Sequence, residues 1–210
     1  RFVISNTTEA GITFDPACKL ADRPASSYPG KLTQLLYRRY KTFNGAADKG
    51  FIIMPCELIF ENGHHLKECI TQYIDLWKEE LGSDYEGFRA WFLTHNYVCS
   101  TLVDRIVPGF PRKEIADIQE KLGYKDNIVV QGEAFHLWVI ERASNMTLDQ
   151  LRAEFPAEKA GLHVLITDSE APYHERKVTL LNGPHTVLSP VAFLSGVNIV
   201  RDACNHPVIG

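Results

Sequence analysis

The chain has 210 residues, 45% hydrophobic and 23% charged, a composition that excludes fibrous and disordered classes and predicts a soluble protein with a core. Its formal net charge of −4 provides no broad basic surface, so we expect no nucleic-acid partner. No signal peptide and no bilayer-length apolar run is visible, so we expect no membrane partner and a cytoplasmic location.

The first half of the chain alternates short apolar runs with helical patterns. Residues 2–5 form an apolar, β-branched run that ends in a polar loop, the pattern of a buried strand. A second such run follows at residues 51–56. Helices are predicted at 31–40, from Asn62-Gly63 onward, and at 84–94, because apolar residues recur there every three or four positions.

The second half predicts more strands and then a new domain. Residues 98–107 form an apolar segment, and further apolar runs predict strands at 127–130, 135–140 and 162–166. A polar helix is predicted at 111–122. The turn-rich connector Thr167–Pro172 is taken as a domain boundary. The expected domains are therefore 1–171 and 172–210.

Polar residues follow the first predicted strand directly. Ligands bind at the carboxyl ends of strands in open α/β sheets, so Asn6, Thr8 and Glu9 are predicted to face a cofactor. A simple turn built by Asn6 and its neighbour explains the same residues equally well. Asn62 suits either a helix N-cap or a ligand donor. Asp104, in an apolar run, suits an ion pair or a substrate contact.

Lys177, Asn182 and His185 precede a long apolar, helix-like run. At about 100° per residue, their side chains fall at roughly 0°, 140° and 80° around a helix. An amine, an amide donor and an imidazole on one side suit proton abstraction from an alcohol. The plainer interpretation is two solvated side chains and a capping asparagine.

Metal and phosphate motifs are weak or missing. Cys56 and Cys69 flank His64 and His65, but no Cys-x-x-Cys or His-x-x-x-His pair accompanies them, so a zinc hydrolase ranks last and no metal is expected. No Gly-x-Gly-x-x-Gly turn occurs. A dinucleotide-binding protein would carry that turn before Arg1, and we expect the chain to be a piece of a longer protein.

Several stretches in this order resemble the polyol-specific long-chain dehydrogenases, the mannitol dehydrogenase family. The similarity runs from end to end, and the Lys-x4-Asn-x2-His spacing is its most specific part. The stretches are Ser5–Ile12, Tyr28–Thr33, Pro55–Ile59 with Asn62-Gly63, Cys99–Val107, Pro172–Val178 and Leu181–Thr186.

The resemblance implies a Rossmann-type dinucleotide-binding domain followed by an all-helical domain, with the active site between them. The chain would hold the later part of the first domain and the start of the second. NAD is the implied cofactor and a small sugar acid the implied substrate, in the branch that interconverts tagaturonate and altronate. A monomer or homodimer is expected.

The resemblance also implies roles for single residues. Lys177 would be the general acid/base, Asn182 and Asn62 would hydrogen-bond the reacting oxygen, and His185 would hold the substrate and orient the lysine. Asp104 is carried over as a substrate-side or structural residue. Pro184 departs from the small residue usual in the family, and we expect it to kink the helix because proline lacks a backbone N–H.

Two alternatives remain open from the sequence. Mannitol, fructuronate or a sugar phosphate could be the substrate of the same kind of enzyme. The missing glycine-rich turn also leaves room for a non-catalytic α/β module that binds a sugar acid or a partner protein.

Overall fold

The computed structural model describes residues 1–210. The chain divides into two compact units, Arg1–Asp168 and Ser169–Gly210. The division falls close to the connector that the sequence marks as a boundary. Each unit is described by itself below.

Three parallel strands form one sheet of the first unit: β1 (Phe2–Ser5), β2 (Ile52–Pro55) and β3 (Tyr97–Val98), in that order. Every residue of β2 is buried. Ile53 faces one apolar cluster, whereas Ile52 and Met54 face another. A strand covered on both faces is typical of parallel sheets in α/β proteins, which explains the unbroken apolar run in its sequence.

A second three-stranded sheet contains β4 (Ser100–Asp104), β5 (Leu137–Glu141) and β6 (Val164–Thr167), in that order. Strands β4 and β5 are antiparallel, and β5 and β6 are parallel. Only Cys99 separates β3 from β4, and its N–H donates to the carbonyl of Ile53 at 2.9 Å. This segment therefore pairs with β2 on one side and with β5 on the other.

Helices cover the sheet and enclose an aromatic core. Leu32 and Leu36 of α1 are fully or nearly fully buried, as are Leu66 and Ile70 of α2, because the apolar residues recur at helical spacing. Tyr73 joins this core with Trp77, Phe88 and Phe92. The helices of the unit are α1 (Tyr28–Thr42), α2 (Asn62–Leu76), α3 (Lys78–Leu81), α4 (Tyr85–His95), α5 (Ile115–Leu122) and α6 (Leu148–Glu154).

The second unit is entirely helical. It contains α7 (Ala171–Lys177), a π-helical turn (Val178–Asn182), α8 (Gly183–Leu194) and α9 (Val200–Cys204). None of the helices in either unit combines the length and apolar character needed to cross a bilayer. The α/β class, with a helical segment after it, is confirmed.

Three local predictions are wrong. Strand β1 forms but is not buried, since Phe2 and Ile4 are 39% and 54% exposed. Residues 127–130 form no strand, and Ile128 and Val130 are 84% and 65% exposed. The Asp126 carboxylate accepts a hydrogen bond from the Ile128 N–H at 2.9 Å, a local bond that competes with strand pairing. Helix α5 begins at Ile115 instead of residue 111, although it ends as expected at Gly123, which is left-handed with φ 75°.

Candidate functional site

The carboxyl ends of β1 and β2 lie side by side, because Ser5 pairs with Pro55 in parallel register. The predicted cofactor-facing residues Asn6, Thr8 and Glu9 follow β1 and are exposed. Thr8 has a positive φ of 77°, a region that β-branched residues rarely occupy. The Gly11 N–H closes this turn by donating to the Thr8 carbonyl at 3.0 Å.

A buried carboxylate stands behind this turn. Glu57 follows β2 and is 1% exposed. Its carboxylate accepts from the Ser5 hydroxyl at 3.1 Å, the Thr7 hydroxyl at 2.8 Å and the Thr7 N–H at 3.0 Å. The sequence contains no signal for Glu57 beyond its place after a strand, because its partners lie about fifty residues away.

Asn62 is fully buried at the start of α2. Its amide donates to the carbonyls of Glu57 at 2.9 Å and Thr101 at 2.8 Å, and its amide oxygen accepts from the Thr101 N–H at 2.9 Å. Asn62 therefore does not cap its helix but ties α2 to strand β4 and to the end of β2. Ser5, Thr7, Glu57, Asn62 and Thr101 together are called the strand-end network.

Gly63 allows the close approach that Asn62 needs. A Cβ at this position would lie 2.1 Å from the Cys99 carbonyl oxygen, which is far inside van der Waals contact. A side chain here would therefore push α2 away from the sheet. The Asn-Gly pair is in this way explained by packing as well as by hydrogen bonding.

Asp104 is the last residue of β4, pairs with Leu137 and is half-buried. The neighbouring Arg105 is exposed and donates from Nε to the Glu133 carbonyl at 2.9 Å. The Glu133 carboxylate in turn accepts from the Ile106 N–H at 2.6 Å. These contacts fix the chain just after β4, at the same end of the strand as Asp104.

In the second unit, Lys177 and Asn182 lie on opposite ends of the π turn. A π turn contains one extra residue, so residues five apart take the relation that residues four apart have in an α-helix. Lys177 at 0° then places Asn182 at about 40° and His185 at about −20°. The earlier angle of 140° for Asn182 is therefore wrong, and the three side chains form a narrower stripe. Lys177 is half-buried, whereas Asn182 and His185 are exposed.

Pro184 does not break the helix. It lies in the first turn of α8, and the backbone stays helical on both sides. The Gly183 N–H donates to the Val178 carbonyl, five residues back. A proline ring clashes with the carbonyl four residues before it, here that of Leu180, and the wider π turn gives that carbonyl room. The expected kink is therefore replaced by a local change of helical type.

The zinc alternative finds no site. The chain contains no group of three or more His, Cys, Asp or Glu side chains that could hold a metal ion. Cys56 is instead buried against the Met54 carbonyl and the Thr101 hydroxyl, at 3.8 Å each.

The edge formed by β1 and β2 fits the nicotinamide end of a dinucleotide better than its phosphates. The Tyr28 hydroxyl is buried there, close to Ser5 and Glu57. Burial raises the pKa of Tyr28, and the negative charge of Glu57 adds to this effect. The exposed side chains of Asn6, Thr8 and Glu9 at this edge can hydrogen-bond a ligand amide, whereas no glycine-rich cradle for phosphates is present.

Comparison with known proteins gives consistent matches. The family model described as the mannitol dehydrogenase Rossmann domain matches residues 3–152. The chain is 71% identical over 210 residues to an altronate oxidoreductase of Phocaeicola vulgatus, covering all of this chain and 42% of that protein. It is 49% identical over 210 residues to an altronate oxidoreductase of Bacillus subtilis, with the same coverage.

Solved structures show the same fold. A Pseudomonas fluorescens mannitol 2-dehydrogenase, solved as a ternary complex with NAD and D-mannitol, matches with a TM-score of 0.68 and 24% identity. It covers 100% of this chain and 41% of that one. A D-sorbitol dehydrogenase matches with a TM-score of 0.64 and 22% identity, covering 90% of this chain and 38% of that one.

The chain thus spans about two fifths of the length of its curated relatives, 42% in the first two. Its fold agrees with the structural matches, and the family model extends over most of the first unit. This chain belongs to the mannitol dehydrogenase family, and residues 3–152 match the Rossmann domain of that family.

Proposed function

We propose that the protein is an NAD-dependent oxidoreductase that interconverts a ketone and an alcohol of a sugar acid, tagaturonate and altronate. The observation that carries this proposal is the stripe of Lys177, Asn182 and His185 across the π turn. Relatives at 49–71% identity named altronate oxidoreductase support the choice of substrate.

The stripe has the groups that carbonyl reduction requires. The Lys177 ammonium donates a proton to the carbonyl oxygen as it becomes an alcohol, and the neutral amine takes that proton back during oxidation. The Asn182 amide donates a hydrogen bond to the same oxygen while negative charge builds on it. His185, about 60° from Asn182 and on the opposite side of Lys177, holds a substrate hydroxyl and limits the rotation of the lysine.

NAD(H), when bound, supplies the hydride for reduction or accepts it for oxidation. The turn after β1 is the part of this chain that we assign to the nicotinamide end, through Asn6, Thr8 and Glu9. All three are exposed. Phosphate binding is not assigned to any residue of this chain.

Asn62 takes a different role from the one first expected. Both of its N–H groups donate to main-chain carbonyls, and its oxygen accepts from a main-chain N–H. A direct bond to the reacting oxygen would have to break one of these buried bonds, which costs about 1–3 kcal/mol. We therefore propose that Asn62 positions β4 and Asp104, while Asn182 is the amide donor to the reacting oxygen.

Steady-state kinetics of the complete gene product tests this function. With NADH in excess, we expect tagaturonate to be reduced with a higher kcat/KM than fructuronate or fructose. A higher value for fructuronate would move the assignment to another hexuronate, and a higher value for fructose would move it to a polyol. Calorimetry that detects no NADH binding would reject the enzyme and favour a sugar-acid or protein-binding module.

A further inference from the structure

The strand-end network contains a buried carboxylate that the proposed chemistry does not use. Glu57 is 1% exposed, and its three hydrogen-bond donors, the Ser5 hydroxyl and the Thr7 hydroxyl and N–H, are neutral. Burying a carboxylate is costly unless hydrogen bonds compensate it. A hydrogen bond to an ionised acceptor is about twice as strong as one between neutral groups, so the hydrogen bonds that Thr7 donates to the Glu57 carboxylate are strong.

The backbone of Glu57 is held as well. Its carbonyl accepts from the Asn62 amide, whose other N–H is donated to the Thr101 carbonyl on β4. The Thr101 hydroxyl donates to the Pro55 carbonyl at the end of β2. The backbone of Glu57 is therefore fixed to β2, β4 and α2. Through its carboxylate, Glu57 connects the segment after β1 to these elements.

The segment that Glu57 holds is in an unfavourable conformation. Thr8 has φ 77°, and such strain persists only where the surroundings enforce it. A Cβ on Gly11 would lie 1.9 Å from the Thr7 hydroxyl oxygen, so the turn folds back tightly on Thr7. Without the two hydrogen bonds that Thr7 donates to the Glu57 carboxylate, the turn would relax toward ordinary backbone angles.

We propose that Glu57 is a positioning residue for the cofactor. Its carboxylate accepts two hydrogen bonds from Thr7 and so fixes the turn that presents Asn6, Thr8 and Glu9 to the nicotinamide end of NAD(H). The proposal rests on the proposed function. A purely structural Glu57 would stabilise the fold without altering the affinity of folded protein for the cofactor, and this difference separates the two roles.

The test measures NADH affinity of the complete gene product by fluorescence titration, with and without Glu57→Gln. Glutamine keeps the shape but removes the charge: its oxygen can still accept from Thr7 while its NH2 donates to the Ser5 hydroxyl, and the hydrogen bonds from Thr7 lose their charge assistance. We expect the Kd for NADH to rise at least tenfold, and amide hydrogen exchange at residues 6–11 to accelerate in the cofactor-free protein.

Two further variants provide matched controls. Thr7→Val removes one donor to Glu57 and is expected to raise the Kd about threefold, whereas Thr7→Ser keeps that donor and restores wild-type affinity. Thr33→Val removes a buried hydroxyl bond in α1, from Thr33 to the Pro29 carbonyl at 2.7 Å. It is expected to lower the Tm and leave the Kd unchanged.

A folded Glu57→Gln protein with a Kd within twofold of wild type overturns the positioning role, whatever its Tm. If that variant does not fold, an unchanged Kd for Thr7→Val overturns the role, and a raised Kd that Thr7→Ser restores supports it. A wild-type protein that fails to bind NADH overturns the proposed function and this role together.

Discussion

One additional residue in a helical turn determines how Lys177, Asn182 and His185 are presented. With ordinary α-helical spacing Asn182 would lie about 140° from Lys177, whereas the π turn brings it to about 40°. Single-turn π segments occur frequently at functional sites. Pro184 lies directly after this turn. The residue that departs from the family pattern is therefore next to the π turn that aligns the three side chains.

Removing the lysine amine tests the proton transfer at this stripe. Lys177→Ala is expected to lower kcat by about 10²–10⁴-fold, the usual contribution of general acid–base catalysis, with an unchanged Kd for NADH. Lys31→Ala, at an exposed position in α1, serves as the control and should retain full turnover. A Lys177→Ala protein within threefold of wild-type kcat would remove the lysine from the mechanism.

Asn62 makes a second prediction about a single residue. Asn62→Ala leaves buried main-chain groups of Glu57 and Thr101 unpaired, so we expect a loss of about 3 kcal/mol in the free energy of unfolding, since each orphaned group costs about 1–3 kcal/mol. Urea unfolding measures this loss. Asn205→Ala removes one exposed side-chain bond to the Arg201 carbonyl and should change stability by less than about 0.5 kcal/mol. Equal losses for both variants would contradict the buried network.

Only part of this site follows from the sequence. The position of Asn6, Thr8 and Glu9 directly after β1 follows from the sequence, and their contact with a cofactor, expected because ligands bind at the carboxyl ends of strands, stays a prediction. The partners of Asn62 do not, because Thr101 lies 39 residues away and no local pattern connects the two. The π turn was missed for a related reason: periodicity assumes a fixed angle per residue, and one inserted residue changes it.

Among the secondary-structure elements, α2 depends on an approach to the sheet that only glycine permits. Alanine is a better helix former than glycine by about 1 kcal/mol, so Gly63→Ala would stabilise an unconstrained helix. We expect destabilisation by more than 2 kcal/mol instead, because its Cβ would overlap the Cys99 carbonyl. Thermal unfolding gives the sign of the effect.

Gly30→Ala is the matched control in α1. Its Cβ would meet side-chain atoms at 3.2 Å or more instead of backbone, so the neighbours can adjust and the loss should be smaller. A stabilised Gly63→Ala protein would show that α2 does not lie this close to the strand.

Element prediction succeeded where burial and pattern agree. Strand β2 was found because every residue is apolar and buried. Residues 127–130 have a similar apolar pattern, but the Asp126 carboxylate binds the Ile128 N–H locally. An apolar run therefore predicts a strand only when a sheet edge is available to pair with it.

At the scale of the molecule, Cys99 lies between β3 and β4, where the two sheets of the first unit meet, and it has no exposed surface. Burial raises the pKa of its thiol from 9.0 to about 12. The folded protein keeps this proton, while the unfolded chain loses it above pH 9, so the contribution to stability is complete below pH 9 and declines as the pH rises toward 12.

We expect Cys99→Ala to reduce the alkaline loss of stability. The thiol contributes a decline of up to about 1.4 kcal/mol per pH unit, which the variant lacks. Urea unfolding between pH 8 and pH 11 measures the slope, and Cys204→Ala, at an exposed position, is the control with the wild-type slope. Identical slopes for wild type and Cys99→Ala would contradict a buried thiol.

The family and α/β architecture emerge from features spread along the whole chain: alternating strands and helices, strand-end polar residues, and the Lys-x4-Asn-x2-His spacing. The substrate does not emerge in this way, because one sugar acid differs from another by the arrangement of a few hydroxyls. Monomer or homodimer stays a prediction, since the composition does not distinguish an exposed face from a shared one.

Direct observation of hydride transfer tests the central claim. The complete gene product is incubated with tagaturonate and NADH deuterated at C4 of the nicotinamide, and the product is analysed by NMR and mass spectrometry. We predict altronate with one deuterium on the new carbinol carbon, transferred from one face of the nicotinamide only. An altronate product without deuterium from either C4 position, or no conversion by protein that binds NADH, would contradict the account.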